Sequence, residues 1–174
     1  AGRFQPIALG QPFSVIIDYA HTPDGMETVL RAARAMNPQR LITVFGCGGD
    51  RDRAKRPLMA AAVEAHSDRF IITDDNPRTE DPDQIVGDIM AGLQKKQSGA
   101  HEVIHNRRDA IRHALDQAQP GDLVLVAGKG HESSQILKDR TIHFNDYEVA
   151  EEPVSYTHLR AHETPEHLVC RLLL

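Results

Sequence analysis

The residues best suited to chemistry lie in four short segments of the sequence. Each segment follows an apolar run and combines charged side chains with glycine or proline. The segments span residues 18–23, 46–53, 74–79 and 128–132. Turns of this kind expose backbone donors beside charged side chains, which suits the binding of a small charged molecule. A helix-capping turn would explain any one segment, but four segments at the same edge of a sheet predict a binding site.

Asn76, Arg78 and Glu132 form the most specific part of this pattern. Asn76 offers both a donor and an acceptor, and the following Pro77 stiffens the turn. The planar guanidinium of Arg78 can pair with a carboxylate, and Glu132 can pair with an ammonium group. Together they favour a zwitterionic amino-acid head group. An Asx turn beside a surface arginine stays open as the alternative interpretation.

The glycine-rich segments match neither of two common nucleotide-binding motifs. Arg51 stands where a dinucleotide fingerprint requires its third glycine, and Gly130 stands where a phosphate-binding P-loop requires Ser or Thr. What remains is flexible backbone beside Arg51 and Arg53, which suits a carboxylate, a phosphate or a solvated helix start. His21 and His131 could be acid–base groups or metal ligands. Because no paired Cys or His stands at ligand spacing, we favour polar contacts and assign no metal ligand.

Short apolar runs and longer amphipathic stretches alternate along the chain and must position these segments. Strands are predicted at 14–18, 40–45, 69–73, 102–105 and 122–127, and helices at 24–36, 57–66, 83–97 and 108–117. The near-continuous β-branched and leucine runs indicate strands buried on both faces. The pattern predicts an α/β fold, Rossmann-like, with a mostly parallel sheet flanked by helices. A last strand at 140–144 follows too short a connection for a crossover helix, so we predict an antiparallel edge strand.

The composition excludes several classes of protein. With 174 residues, 40% hydrophobic and 26% charged, the chain suits one globular domain rather than a disordered protein. A net charge of −5 argues against a nucleic-acid partner. No apolar run approaches the roughly 18 residues of a membrane span. Cys47 and Cys170 cannot form a disulfide framework, so we expect a cytoplasmic location.

Four sequence motifs together resemble the C-terminal domain of the Mur ligase family. They are DYAHTPDG (18–25), FGCGGDRDRAKRP (45–57), TDDNPRTEDP (73–82) and VAGKGHE (126–132), and they stand in the family's order. The resemblance begins at Gly2 and Arg3 and extends to about Glu152. It therefore predicts a Mur ligase C-terminal domain over residues 1–152, with the N-terminal and central domains of the ligase as its partners in the same chain.

The resemblance implies an ATP-dependent ligase of peptidoglycan synthesis. In such ligases ATP, with Mg²⁺, phosphorylates the D-glutamyl carboxylate of UDP-N-acetylmuramoyl-L-alanyl-D-glutamate, and the amine of the incoming amino acid attacks the acyl phosphate. The family's amino-acid site matches Arg51, Asp75, Asn76, Arg78, Gly128 and Glu132. The positions that face ATP match Arg3, Asp18 and His21. The DNPR motif resembles the version that selects meso-diaminopimelate over lysine.

The resemblance also implies what this sequence lacks. The parts of the family that hold most of the ATP and Mg²⁺, and its modified lysine, lie in the domains before residue 1. No catalytic residue is therefore assigned, and the 174 residues alone are expected to be inactive as a ligase. A non-catalytic Rossmann-like binding module, a lysine-adding Mur ligase and a folylpolyglutamate synthetase domain remain alternatives.

Residues 153–174 do not continue the resemblance. Three histidines and a cysteine in this stretch could suggest a zinc site, namely His158, His162, His167 and Cys170. The stretch is more similar to a translated sequencing adapter. We therefore interpret it as an artefact without a selected function.

Overall fold

A six-stranded sheet forms the centre of the protein. The structure is a computed structural model that describes residues 2–8, 10–94 and 99–152. The strands are β1 (Gln5–Ile7), β2 (Ser14–Asp18), β3 (Leu41–Phe45), β4 (Arg69–Ile72), β5 (His101–Val103), β6 (Leu123–Ala127), β7 (Ser134–Ile136) and β8 (Thr141–His143). The six strands lie in the order β1-β2-β6-β3-β4-β5, and only the β1–β2 pair is antiparallel. The predicted mostly parallel α/β fold is confirmed.

Helices cover both faces of this sheet. They are α1 (Pro23–Ala35), α2 (Lys55–His66), α3 (Pro82–Met90) and α4 (Arg107–Gln117), and residues 146–152 are also helical. One core cluster packs α1, α2 and α3 on one face, and a second packs α4 and the helical residues 149–150 on the other. Because both faces are covered, every residue of the central strands β3 and β6 is buried. This explains their continuous apolar sequences.

Three helices begin inside or directly after the polar turns that follow strands. The side chains of Thr22, Asp81 and Asn106 each accept a hydrogen bond from a backbone amide in the first turn of α1, α3 and α4. Such caps satisfy amides that have no partner within the helix. They fix the point at which each polar turn becomes a helix, and therefore the shape of the sheet edge.

Two predictions about the elements were wrong. The strand predicted at 140–144 is β8, which does not join the main sheet but pairs with β7 in a separate two-stranded sheet. The turn between them is closed by a hydrogen bond from the Leu137 amide to the Arg140 carbonyl at 2.8 Å, so the short connection returns β8 to its nearest neighbour. The antiparallel edge strand of the main sheet is β1. The helix predicted at 83–97 ends at Met90, and the backbone then passes so close to Pro57 that only Gly92 fits.

Two further expectations from the sequence concern membrane-spanning segments and the C-terminal residues 153–174. None of the helices within the described ranges has the length and apolar character needed to cross a membrane. Residues 153–174 lie outside the described residues, so the zinc and adapter interpretations of that stretch stay predictions, as does the domain boundary at 152.

Candidate functional site

The four polar segments meet at one edge of the sheet. They follow β2, β3, β4 and β6, which are neighbours in the sheet, and the carboxyl ends of parallel strands share an edge. A cavity of about 290 Å³ opens there. The six residues matched to an amino-acid site all line it, namely Arg51, Asp75, Asn76, Arg78, Gly128 and Glu132. Tyr19, His21, Cys47 and Lys55 line it as well.

Arg78 is held in place between two segments. Its backbone has a φ of 52°, in the left-handed region, and its amide donates to the Ile136 carbonyl at 3.1 Å. The side-chain Nη1 donates to the carbonyls of Gly49 at 2.9 Å and Asn76 at 3.3 Å. Nε and Nη2 donate to no other group in the described part of the chain. The guanidinium is therefore anchored by one nitrogen and keeps donors that a ligand carboxylate could engage.

Arg56 and Glu80 brace the segments that carry Arg51 and Arg78. The Arg56 side chain is fully buried and donates to the Gly48 carbonyl, to Glu80 and to Asp88. Glu80 also accepts from the Asp50 amide at 2.6 Å. The hydrogen bond from Arg56 is the main reason that the pKa of Glu80 falls to about 2. The sequence analysis assigned no role to either residue.

A second network contains a residue that the sequence analysis also missed, Lys129. This side chain is fully buried, and its Nζ lies 3.0 Å from Asn76 Oδ1, 2.9 Å from Glu132 Oε2 and 3.7 Å from Asp75 Oδ1. Asn76 Oδ1 also accepts from the Ile136 amide at 2.9 Å, and Asn76 Nδ2 donates to Glu132 Oε2 at 3.2 Å. Three residues of the predicted site are thus tied to one buried cation.

The two carboxyls of this network have opposite pKa shifts. Burial raises the pKa of Asp75, and the nearby charges of Arg107 and Lys129 oppose that rise only in part. Burial also acts to raise the pKa of Glu132, but the hydrogen bond and charge of Lys129, the hydrogen bond of Asn76 and the charge of Arg78 together outweigh it, so this pKa is lowered. Glu132 therefore favours the charged form that an ammonium ligand requires.

Gly128 lies where a side chain would collide with the site. Its φ is 121°, and a Cβ there would lie 2.8 Å from Asp75 Oδ2. The preceding residue is held from the protein interior, because the Ala127 carbonyl accepts a hydrogen bond from the buried Arg107 Nη2 at 3.0 Å. Arg107 and its partner Asp146 are both fully buried. This ion pair thus supports the turn from the interior.

A second cavity, of about 550 Å³, contains the three residues matched to the nucleotide-facing positions. Arg3, Asp18 and His21 all line it, and Tyr19 and His21 line both cavities. The two oxygens of Asp18 accept from the amides of Phe4 and Ala20, each at 2.7 Å, so this carboxylate braces the backbone. The Tyr19 ring packs against both His21 and His131, with centroids 4.6 and 5.0 Å apart.

Cys47 is not a reactive thiol even though it lines the first cavity. It is buried, and its sulfur lies 3.8 Å from the Met59 sulfur. Burial raises the pKa of the Cys47 thiol to about 12, so almost no thiolate is present at neutral pH. Among residues 2–8, 10–94 and 99–152, no group of three or more His, Cys, Asp or Glu side chains could hold a metal ion.

Fold and cavity together define a Rossmann-like α/β domain with a charged cavity at the carboxyl ends of its parallel strands. Residues 2–130 match the family model described as Mur ligase, glutamate ligase domain. The chain therefore belongs to the Mur ligase family.

Individual relatives sharpen this assignment. The chain is 52% identical over 151 residues to the UDP-N-acetylmuramoyl-L-alanyl-D-glutamate--2,6-diaminopimelate ligase of Syntrophomonas wolfei, covering 87% of this chain and 31% of the relative. A solved structure with the same ligase name superposes with a TM-score of 0.84 at 42% identity, covering 91% of this chain and 32% of that one. E. coli FolC with ADP has a TM-score of 0.56 at 21% identity, with 92% and 32% covered, and shares the fold alone. The chain thus spans about a third of the length of the ligases it matches.

Proposed function

We propose that this chain is the amino-acid-binding domain of an ATP-dependent ligase that adds meso-diaminopimelate to UDP-N-acetylmuramoyl-L-alanyl-D-glutamate. The observation that carries the proposal is one cavity lined by two arginines and by a glutamate whose pKa is lowered. The ligase names of the relatives at 52% and 42% identity support the choice of substrate. The cytoplasmic location expected from the cysteine content belongs to the same proposal.

The charges of the cavity suit the two ends of meso-diaminopimelate. This amino acid has a carboxylate and an amine at each end, whereas lysine has only one carboxylate. Arg78, with Nε and Nη2 still available, would pair with the carboxylate of the end that does not react. Glu132 would receive the ammonium group of that end, and Arg51 and Asn76 would complete the contacts. Lysine would leave Arg78 without its partner in a partly enclosed site, which lowers affinity by roughly tenfold or more.

The role of this domain in the reaction is to position the attacking amine. The substrate is held at the edge of the sheet by groups fixed on three adjacent segments, so that its free amine can reach an acyl phosphate on the partner domains. Holding two reactants in place in this way supplies a large part of a bimolecular rate enhancement. The product amide, ADP and phosphate would form between the domains.

The second cavity fits one face of ATP only in part. Arg3 could pair with a phosphate, and His21 and Tyr19 offer ring surfaces, whereas both oxygens of Asp18 are already bound by backbone amides. ATP supplies the phosphoryl group that activates the D-glutamyl carboxylate. We therefore assign Arg3 and His21 to contacts with the nucleotide and Asp18 to shaping the turn beside it. Mg²⁺ would be held by the remainder of the ligase.

Titration of the isotopically labelled chain with meso-diaminopimelate and with L-lysine, followed by NMR chemical shifts, tests this proposal. We expect meso-diaminopimelate to bind at least about tenfold more tightly, with shifts in residues around the 290 Å³ cavity. Arg78→Ala should remove this preference and leave any ATP binding unchanged. Arg140→Ala, an exposed arginine of the β7–β8 turn, is the matched control and should change neither. Equal affinities for the two amino acids in the wild-type chain would contradict the proposal.

A further inference from the structure

Lys129 is a fully buried charged group in contact with three residues that line the cavity. It lies in the turn after β6, between two glycines with positive φ, and its side chain is 0% exposed. A buried ammonium is costly unless it is paired with anions and hydrogen-bond acceptors. Nζ donates to Asn76 Oδ1 and Glu132 Oε2, and it lies within ion-pair distance, 3.7 Å, of Asp75 Oδ1. The buried ammonium of Lys129 is therefore stabilised by the three residues that surround it.

The contact with Lys129 fixes the amide of Asn76. Asn76 Oδ1 accepts from both Lys129 Nζ and the Ile136 amide, so the oxygen must face these two donors. Its Nδ2 then faces Glu132 Oε2 at 3.2 Å. With the amide reversed, Asn76 Nδ2 would face the Lys129 ammonium and the Ile136 amide, so three donors would meet with no acceptor. The hydrogen bond from Asn76 to Glu132 would also be lost.

The contact with Lys129 also makes the two carboxylate oxygens of Glu132 different from each other. Oε2 accepts from both Lys129 and Asn76. Oε1 makes no hydrogen bond with any residue that the structure describes, and the side chain is about a third exposed. One oxygen is thus committed to the protein, and the other remains available.

Lys129 also separates two acidic groups. Asp75 and Glu132 both line the cavity, and the charge of Glu132 raises the pKa of Asp75. Without the cation between them, burial and mutual repulsion would favour protonation of both. A protonated Glu132 could no longer attract a positively charged ligand.

We propose that Lys129 is a positioning residue: its ammonium fixes Asn76 and one oxygen of Glu132, and keeps the other oxygen charged and available for the ammonium group of the incoming amino acid. This inference rests on the proposed function for the identity of the ligand. The arrangement of Lys129, Asn76 and Glu132 can be tested without any ligand. Lys129 acts through Asn76 and Glu132 and does not itself contact the substrate.

The first measurement is the titration of the Glu132 carboxyl by ¹³C NMR in the wild-type chain, in Lys129→Met and in Lys138→Met. Lys138 is an exposed lysine of the β7–β8 turn and provides the matched control. We expect the Glu132 pKa to be low in the wild type and in the control, and to rise above the ordinary range of a glutamate in Lys129→Met. An unchanged Glu132 pKa in a folded Lys129→Met protein overturns the inference. If Lys129→Met does not fold, the wild-type titration decides, and an ordinary or raised Glu132 pKa overturns it.

The second measurement is a double-mutant cycle on meso-diaminopimelate binding, with Lys129→Met, Glu132→Gln and the double variant. Each single change should weaken binding by about tenfold near pH 7, and the loss in the double variant should be clearly smaller than the product of the two single losses. Losses that simply add would mean that Lys129 acts independently of Glu132 and would overturn the inference. Absence of binding by the wild type would count against the proposed substrate, whereas the carboxyl titration would still decide the role of Lys129.

Discussion

Replacing Glu80 by glutamine should destabilise the protein, because Glu80 joins two of the segments that form the cavity. Its carboxylate accepts from Arg56 at 2.9 and 3.0 Å and from the Asp50 amide at 2.6 Å. Arg56 is fully buried, and in the variant Asp88 would be its one remaining carboxylate among the described residues. Removing one partner of a buried cation leaves charge that water cannot reach.

The pKa of Glu80 gives the size of the effect. The hydrogen bond from Arg56 is the largest cause of its fall from the ordinary 4.5 to about 2. At about 1.4 kcal/mol for each pKa unit, the difference corresponds to roughly 3 kcal/mol. Solvent screening near the exposed Arg53, which also pairs with Glu80, reduces the expected loss to about 2 kcal/mol.

The pH dependence follows from the direction of this shift. Because the pKa of Glu80 is lower in the folded state, its stabilising effect is complete above about pH 5 and is lost as the pH falls from 4.5 towards 2. The difference in unfolding free energy between the wild type and Glu80→Gln should therefore be about 2 kcal/mol near pH 7 and somewhat less than half of that near pH 3.

Urea denaturation followed by circular dichroism at several pH values measures this difference. Glu151→Gln is the matched control, since Glu151 forms no ion pair with any described residue, and it should change the unfolding free energy by less than about 0.5 kcal/mol. A Glu80→Gln loss that stays constant between pH 3 and pH 7, or one as small as the control, would refute the reasoning.

Two further predictions concern residues that line the cavity. Gly128→Ala should cost about 1–3 kcal/mol of stability, since it combines a φ of 121° with a Cβ 2.8 Å from Asp75 Oδ2. Gly99→Ala is the control and should cost less stability, because Gly99 also has a positive φ, of 105°, but its Cβ would meet no described atom within 4 Å. Equal losses of unfolding free energy in urea denaturation would contradict the clash at Gly128. In a Cys170→Ser variant, which leaves Cys47 as the one cysteine of the sequence, Cys47 should not react with Ellman's reagent at pH 8 in the native protein and should react fully in urea, because burial raises its pKa to about 12. Rapid reaction of the native thiol would show that this part of the cavity is more open than the structure indicates.

The central strands were predictable because a strand that is buried on both faces has a continuous apolar sequence. β3 and β6 are continuous apolar runs, and the polar segments that follow them mark the site. β1 and β7 were missed: each has three residues, too few for a period to be visible, and β5 and β8, which are equally short, were found within longer predicted segments. β8 was found as a strand, but its partner depends on a turn geometry that apolar patterning does not encode.

The braces of the site could not be predicted because they join residues far apart in the chain. Arg56 and Glu80 are separated by 24 positions, and Lys129 and Asn76 by 53. A lysine between glycines normally indicates a solvent-exposed turn, and only the fold places Lys129 beside Asn76, Glu132 and Asp75. Asp18 was matched by resemblance to a position that faces ATP, and nothing in the sequence indicated that both its oxygens accept from the amides of Phe4 and Ala20.

A crystal structure of the chain soaked with meso-diaminopimelate tests the central claim most directly. We expect the ligand in the 290 Å³ cavity, with one carboxylate on Arg78 and the ammonium group of the same end on Glu132 Oε1. The other amine should point out of the cavity. A ligand bound elsewhere, or one in the cavity without contact to Arg78, would contradict the account.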